Sequence, residues 1–593
     1  ISTAQKHGTE SIWPYFYAGT MGLVQRDGIN RLRHTMKYSG QHSTICSTIT
    51  ASGFRAGVGT LKGPDPREMA LADVILVWGC NPASTQVNVM KHIQKARKDR
   101  NAKLIVVDPY KTRSAKVADF HYPIKPGTDG ALACSIMHIL FRDNYADKKY
   151  MDKYTDDPKG LEEHVKKYTP EWGSKITGLS LREIEEFAKI FGTTKRLYSR
   201  MGYGFTRQRN GASAMHAAVS LSAVCGKWQY EGGGAFYNNG DIYNIDKTLI
   251  EGLDLIDPNI RILDQSRIGS ILTGDKNALM GGGNVHSLII QNTNPLVVAP
   301  ESLLVREGFS REDLFVCVHE QFMTETAKYA DIVLPATTFV EHDDLYIAGG
   351  HQHITFGPKL IEPIGESRSN HKVLLELSKR LGAEHKGFNM TEREIIDVTL
   401  KSSNHGSLAD LEKNGWKDVQ PDFNTSHFIN GFGHKDKKFH FKPDWSEVGP
   451  DYHNMPEYPD YMNTTENTSK DFPFKLVTAP AHNYLNSSFT ETSSSQKSEV
   501  KPKAKIHSND IKKLGLQEDD LVVLGNNRGK VIINVEEFNG MQEGVIIVEG
   551  IWPNEAFVGK NGINTLVGSD PVPPNGGAAF HDTAVWIKSH SKN

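Results

Sequence analysis

Two stretches of the chain end a short apolar run in the same way: ADVILVWGCNP (72–82) and HSLIIQNTNP (286–295). In each, strand-forming residues run into a polar turn closed by Asn-Pro, where proline removes a backbone N–H and fixes φ, so the strand stops. An apolar run without alternation is a strand buried on both faces, as in a parallel sheet covered by helices. The following segments agree with this. VNVMKHIQKARKD carries apolar residues at helical spacing with a basic outer face, and AKLIVVDPYKT (102–112) is a second strand of the same kind. Together they predict a strand, a crossover helix and a parallel strand. The return of the Asn-Pro turn at Asn294-Pro295 predicts two similar α/β halves rather than one long sheet.

The rest of the chain extends this pattern. A helical block is predicted over 131–195, within which LSLREIEEFAKIFG (179–192) opens on a serine cap and closes on a glycine. KRLYSRMGYGFTRQRNG then reads as a strand opening into a loop rich in Gly and Arg, where Arg207 and Arg209 have three open roles: binding an anion, facing solvent or holding a phosphate. The strand rhythm repeats at DLFVCVHEQFMTETAKYADIVLPATTFVEHDD (313–344). Residues 402–470 are polar with little periodicity and read as a linker or covering segment. From 471 onward FKLVTA, DLVVLGNNRGKVIINVEE and GVIIVEGIW are β-branched runs, and NNRG between two of them signals a hairpin, so this end is a small, mostly β, barrel-like domain.

Composition excludes several function classes. Lys and Arg number 68 against 70 Asp and Glu, a net charge of -2, which lacks the basic footprint of a nucleic-acid binder. The five cysteines, at 46, 80, 134, 225 and 317, are widely spaced without a CxxC pair, so neither a disulfide framework nor a zinc ribbon is indicated, and a reducing compartment is expected. No apolar run is long enough to span a bilayer, so direct membrane insertion is not expected. The opening ISTAQKHGTESIWPYFYAGTMG has neither an initiator Met nor a charged-then-apolar leader, which reads as a start inside a longer protein. A cytoplasmic location is expected, with a periplasmic one left open because no signal region is visible.

The joint order of YAGTMG (17–22), ADVILVWGCNPASTQ (72–86), VVDPYKTRSAKVADFHYPIKPGTDGAL (106–132), QNTNP (291–295), TETAKYADIVLPATTFVEHDD (324–344) and a tail with HNYLNSSF, GIWPN, GINTL and FHDT resembles the molybdopterin oxidoreductase family, the dimethyl sulfoxide reductase superfamily. The resemblance runs almost end to end. It implies an α/β fold with two Rossmann-like parallel-sheet domains plus a C-terminal β-barrel of six-stranded type. The expected division is 1–45 and 241–400 in the first α/β domain, 46–240 in the second, 401–470 as linker and 471–593 as the dinucleotide-binding barrel. The implied cofactor is bis(molybdopterin guanine dinucleotide) with Mo or W. A 4Fe-4S cluster, carried by many members in an N-terminal CxxC-type domain, is expected only in a missing N-terminal region, without which catalysis by this chain alone is not expected.

Strand-to-helix turns offer backbone N–H groups and short polar side chains to phosphates and a purine edge. The resemblance places one guanosine at Gly79, Asn81, Pro82, Thr85 and Asp108, with Lys125, Gly127, Thr128 and Asp129 closing over it. The second dinucleotide falls to Gly202, Gly204, Asn292, Asn294 and Pro295, then to Glu320, Gln321, Thr324, Thr326 and Asp331. A Thr cap and a helix-end Asp explain Thr326 and Asp331 equally well without a ligand. In the β domain His482, Asn483, Asn486, Ser488 and Phe489, and later Trp552, Asn564 and Asp582, match positions that clamp the pterins, although a Trp in a barrel is more often core.

The family usually adds one protein ligand to the metal, and a thiolate suits a soft metal site. Cys46 in HSTIC is the expected ligand, and the spacing resembles the ligand segment of polysulfide and thiosulfate reductases; Ser47, Thr48 and Thr50 remain alternatives because alignment there is ambiguous. Formate dehydrogenases follow the ligand with His and place an Arg in a later segment, whereas this chain has Ser47 and no Arg in EGGGAFYNNGDIYN (231–244). The expectation is therefore oxygen-atom or two-electron transfer on a small substrate, preferably reduction of an S- or N-oxide or of an inorganic sulfur or oxyanion species. Formate oxidation, a hydratase without net redox and a non-catalytic scaffold subunit are the alternatives. EHDDLYIAGGHQH (341–353) offers a metal site, a proton relay or a satisfied polar loop; His351 is expected to line the substrate pocket, without a second metal. Expected partners are the small-molecule substrate and an electron-transfer subunit or protein.

Overall fold

The computed structural model describes residues 1–19 and 21–590, so Thr20 of YAGTMG and residues 591–593 lie outside the described residues. Two compact units result, Ile1–Thr44 with Ile242–Gln420 and Ile45–Asp241 with Pro421–Asn593.

The first unit is built on four parallel strands in the order Ile12–Phe16, Ser287–Gln291, Phe315–Glu320, Ile332–Pro335. Trp13, Tyr15, Leu288, Ile290, Val316 and Val318 put their side chains into one core. The second unit has five parallel strands, ordered Phe120–Tyr122, Lys103–Val107, Val74–Trp78, Leu197–Met201, Gly234–Phe236. Val87–Arg100 is the crossover helix its spacing predicts, burying Val89, Ile93 and Ala96. From Val74–Trp78 the chain steps outward through two strands, then returns to fill the opposite side. The strand order therefore reverses between Val74–Trp78 and Leu197–Met201, the place where open α/β sheets bind ligands.

Within each unit the same connection recurs, atom for atom. Asn81 Oδ1 accepts from Ser114 N (3.1 Å) and Oγ (2.8 Å), and Asn294 Oδ1 accepts from Thr326 N (3.2 Å) and Oγ1 (2.6 Å). Thr112 caps a short helix by accepting from Ala115 N, as Thr324 does from Ala327 N. Asp119 Oδ2 accepts from Leu104 N (2.8 Å) and Asp331 Oδ2 from Val316 N (2.7 Å), each locking two neighbouring strands. The echo of the Asn-Pro turns thus reaches into KTRSAKVAD and MTETAKYAD.

The six C-terminal strands close into a barrel, and NNRG makes its hairpin, with Asn526 opposite Gly529. The barrel rests on the five-stranded sheet of its own unit: Lys111 N donates to Gly540 O (2.7 Å) and Tyr110 Oη to Glu549 Oε1 (2.8 Å). Two local expectations need correction. Ser180 does cap Leu181–Thr193 in a full capping box with Glu183, but Gly192 lies inside that helix, where an added Cβ would sit 2.6 Å from Tyr145 Cβ. Close packing, not helix termination, explains that glycine. The aperiodic 402–470 stretch also contributes to the interior: Phe428, Phe432, Phe439 and Phe441 are buried, with Phe432 edge-on to Trp228 at 5.3 Å. His427 fastens it, bridging Trp228 O and Glu68 Oε2 at 2.9 Å each. Among the described residues no helix is long and apolar enough to cross a membrane.

Candidate active site

At the strand-order reversal of the second unit, three predicted glycines meet. Gly202 N donates to Trp78 O (2.8 Å) and Gly204 N to Gly79 O (2.7 Å), while Gly79 adopts φ +66°. A Cβ on Gly204 would lie 2.7 Å from Gly79 O and 2.9 Å from Gly79 Cα; on Gly202 it would collide with Gly79 O and Cys80 Cβ. Only glycine allows two strand ends to approach this closely. In the first unit Gly19 (φ +51°) lies against the side chain of Asn292 (φ +60°), whose Cβ would be 2.7 Å from a Cβ added at Gly19.

Around the glycines of the second unit lie polar groups that the protein does not satisfy. Asp108, at the end of its strand, is buried with one weak acceptance from Tyr110 N (3.4 Å) and no cation among the described residues; burial pushes its carboxyl up to about 8. Asp129 accepts from Trp78 Nε1 (2.7 Å), and burial raises it to about 6. Gln208 Oε1, Asn210 Oδ1 and both amide atoms of Asn239 are buried without partners among the described residues. A buried polar group left unpaired is costly, and a guanine edge or pterin offers the complementary N–H and C=O groups. The residues present fit a molybdopterin guanine dinucleotide.

The other predicted contacts divide into two kinds. Thr85 Oγ1 bonds Asn81 O, Thr128 Oγ1 bonds Lys125 O, and Lys125 is exposed, while Gly127 (φ +81°) hands its carbonyl to Asn210 Nδ2. Pro82 and Pro295 each open a short helix. His482, Asn486, Ser488 and Phe489 lie exposed on one barrel loop, and Asn483 is anchored to Glu499. In the first unit Asn292 Nδ2 has no partner among the described residues, Glu320 Oε1 accepts from Gln321 N, and Gln321 Nε2 donates to Thr337 O.

Asn81, Asn294, Thr326, Asp331, Trp552 and Asp582 have polar atoms engaged within the protein. The first four make the repeated ties above. Trp552 packs in the barrel core, its Nε1 donating to Glu549 O (2.9 Å), and Asn564 is buried in the same unit. Asp582 is fully buried: Oδ1 accepts from Glu466 N and Lys475 Nζ, and Oδ2 from Arg209 N (3.1 Å), with Arg209 Nη1 at 3.2 Å. Arg209 also pairs with Asp570.

Cys46 is half-buried on the loop entering the helix Thr48–Val58, whose N-cap is Ser47. Both flanking carbonyls are held: Arg207 Nη1 donates to Ile45 O (3.1 Å) and Tyr237 Oη to Ser47 O (3.4 Å). Tyr203, stacked edge-on against Tyr237 at 5.3 Å, accepts from Asn238 Nδ2 (2.9 Å), which leaves its own O–H to donate. Burial and then the Cys46 charge push the Tyr203 phenol up, so it stays protonated. Thr50 Oγ1 is buried against Thr206 Oγ1. Burial pushes the thiols of Cys80, Cys225 and Cys317 up to about 11 and raises that of Cys134 as well.

His351 is exposed on a turn of the first unit, its Nδ1 accepting from His353 N (3.0 Å). The neighbouring acids have local uses: Asp344 caps the helix Leu23–Asp27 through Val24 N and Gln25 N, and Asp343 accepts from Lys359 N. His342 Nδ1 pairs with Thr337 Oγ1 (2.8 Å).

The family model described as molybdopterin oxidoreductase matches residues 23–380, and that of the molybdopterin dinucleotide binding domain matches 474–584. The chain belongs to the molybdopterin oxidoreductase family, within the dimethyl sulfoxide reductase superfamily, and is an enzyme whose cofactor is a molybdopterin dinucleotide. It is 34% identical to the probable oxidoreductase YoaE of Bacillus subtilis (strain 168), across 98% of this chain and 84% of that protein. It is 27% identical to the F420-dependent formate dehydrogenase subunit alpha of Methanocaldococcus jannaschii, across 85% and 75%. Among solved structures, acetylene hydratase from Pelobacter acetylenicus superposes with a TM-score of 0.78 over 99% of this chain and 87% of that one, at 17% identity, a likeness of fold.

Sequence reasoning missed Ser114 and Asp119, although the repeated A-K-x-A-D was a readable signal. It also missed Arg200, a buried guanidinium in the Leu197–Met201 strand, because an Arg inside a strand reads as solvent-facing.

Proposed function

We propose that this chain is a reductase in which Cys46 is the protein ligand to the Mo or W of a bis(molybdopterin guanine dinucleotide), acting on an S- or N-oxide or on an inorganic sulfur or oxyanion species. The observation that carries this reading is the Cys46 loop: a half-buried thiol whose two neighbouring carbonyls are fixed by Arg207 and Tyr237. When bound, the metal supplies the two-electron couple. Reduction of an oxide removes one oxygen as water, taking up two protons and two electrons, whereas reduction of thiosulfate breaks its S–S bond to give sulfite and sulfide with the same uptake; in both cases the electrons come from an external donor protein. The Tyr203 hydroxyl, held by Asn238, is placed to donate a hydrogen bond or a proton near Cys46. Gly79 and Asp108 would hold one dinucleotide together with Gly202 and Gly204, which the resemblance groups with the other but whose N–H groups bond Trp78 O and Gly79 O, and Asn292 with Glu320 would hold the other.

Formate oxidation is the second reading, favoured by the formate dehydrogenase relative. Against it, Ser47 follows Cys46 and serves as a helix N-cap, where formate dehydrogenases carry a histidine base. The test is Cys46→Ser in the full-length protein with metal analysis and a substrate panel of thiosulfate, dimethyl sulfoxide and formate against a redox dye. Altered Mo or W spectra with turnover lost on the sulfur substrates are expected. Unchanged spectra and turnover would overturn the ligand assignment, and turnover on formate alone would overturn the substrate class.

A further inference from the structure

The far end of the helix Thr48–Val58 is held by a loop from the aperiodic 402–470 stretch. Gly433 N donates to Val58 O (2.9 Å) and His440 N to Gly57 O (2.9 Å), while a Cβ on Gly59 (φ +79°) would lie 2.5 Å from His434 N. The loop thus takes up carbonyls that a helix end leaves without partners. It is tied behind as well: Phe439 N donates to Tyr154 O (2.8 Å), and Asp156 accepts from Phe441 N (2.8 Å) and Lys442 N (3.0 Å).

Three histidines meet at this contact. His434 donates from Nε2 to Gly57 O (3.2 Å), His440 from Nε2 to both oxygens of Asp436 (3.0 Å each), and His216, on the helix Gly211–Val224, from Nε2 to His440 O (2.9 Å). The His434 and His440 rings stack, with centroids 3.7 Å apart and planes 6° from parallel. One proton per ring supplies all of these bonds.

A second proton on each ring brings charges that the surroundings do not balance. Asp436 is the one carboxylate bonded to the stack among the described residues, and Lys435, Lys437 and Lys438 make the rest of its loop positive. Arg55, the one charged residue of the helix Thr48–Val58, is paired with Asp241 (3.0 Å), and Asp156 is spent on main-chain N–H groups. His216 is fully buried, its Nδ1 unpartnered among the described residues. Burial, then the facing charge of His440, lowers His434 below the ordinary 6.5 despite its bonds to helix carbonyls, and burial lowers His216 to about 4.

We propose that the 432–440 loop is a proton-operated latch: protonation of the stacked His434–His440 pair releases it from the end of the helix Thr48–Val58, the helix that begins beside Cys46. The sign follows from the lowered pKa. The latch is fully held above the ordinary histidine value and weakens as pH falls below it, because the released ring takes a proton more readily than the held one.

The experiment is hydrogen exchange of the full chain read by peptide mass spectrometry, with each rate divided into that of an unstructured chain at the same pH. Protection of the 431–441 peptide should fall up to about ten-fold between pH 6.5 and 5.5, the most that one linked proton gives per pH step of one. The barrel hairpin of Leu521–Asn526 and Gly529–Glu537 should stay level. His434→Gln keeps an N–H for Gly57 O and takes no proton, so its fall should vanish. Should that variant leave the loop unprotected already at pH 7.5, His440→Gln decides instead: it removes the facing charge, and the fall should shrink. A wild-type loop equally protected at pH 7.5 and 5.5, or a fall unchanged in the deciding variant, would overturn the proposal and leave the stack a packing contact.

Discussion

Replacing Gly204 by Ala tests the close approach of the two strand ends directly. The new Cβ would lie 2.7, 2.9 and 3.1 Å from Gly79 O, Cα and C, all backbone atoms that no side-chain rotation can clear. Ordinary carbon contacts begin at ~3.5 Å, so the turn at Gly79 must retreat by roughly 0.5 Å or more. That retreat strains the Gly204 N to Gly79 O bond at 2.7 Å. Overpacking costs about 1–3 kcal/mol and the weakened hydrogen bond up to about 1 kcal/mol, so Gly204→Ala should lose about 1–4 kcal/mol. In thermal denaturation this corresponds to a midpoint lowered by roughly 2–8 °C, since the shift per kcal/mol shrinks as a cooperative unit grows. Guanine nucleotide released per chain after acid treatment should fall in parallel, because the displaced turn is part of the proposed cradle. Gly283→Ala, with no atom within 4 Å of its new Cβ, should leave both readings unchanged. A Gly204→Ala protein with wild-type melting and full guanine content would refute the argument.

Two further outcomes follow from buried carboxylates. Burial raises Asp108 to about 8, so it contributes stability fully below the ordinary carboxylate range, lost as pH rises through about 8. In protein without cofactor, Asp108→Asn should gain on wild type from pH 5 to 8, by at most ~1.4 kcal/mol per pH step of one; a difference flat with pH in paired denaturation curves counts against it. Asp582 joins Glu466, Lys475 and Arg209, so Asp582→Ala should cost about 3–5 kcal/mol by leaving Lys475 buried without its partner. Asp582→Ala with Lys475→Met should regain part of that loss, and a double variant no more stable than the single one would show that the ion pair is not what is lost.

Parallel strands, the crossover helix, the hairpin and the likeness of the two halves were readable because each rests on local chemistry: apolar runs, an Asn-Pro stop, an Asn-Asn-Arg-Gly turn. Glycine positions were readable for the same reason, since Gly79, Gly202 and Gly204 sit where strands end. What was not readable is which polar atom meets which. Asp331 and Asp582 carry the same side chain as Asp108, yet the first accepts from Val316 N, the second from Lys475 and Arg209, and Asp108 alone lacks a strong partner. Those partners lie up to hundreds of residues away, and no spacing reports them. Phe428, Phe432, Phe439 and Phe441 were hidden for a related reason: irregular backbone turns side chains inward without a period to reveal it.

The division of the second unit into two stretches of chain also has a consequence in time. Its sheet is complete at Phe236, but four of its interior phenylalanines, beginning at Phe428, come far later, and Asp582 with Lys475 secures Arg209 only near the last strand. At roughly 5–20 residues per second, a ribosome needs about 10–40 s to travel from the sheet to those phenylalanines. Throughout that interval the nascent chain carries Trp228 and its neighbours without their cover, and a dinucleotide cradle whose barrel does not yet exist. On the proposed cradle, the cofactor is loaded only once the barrel has been made, and the uncovered interval is when a chaperone is most needed.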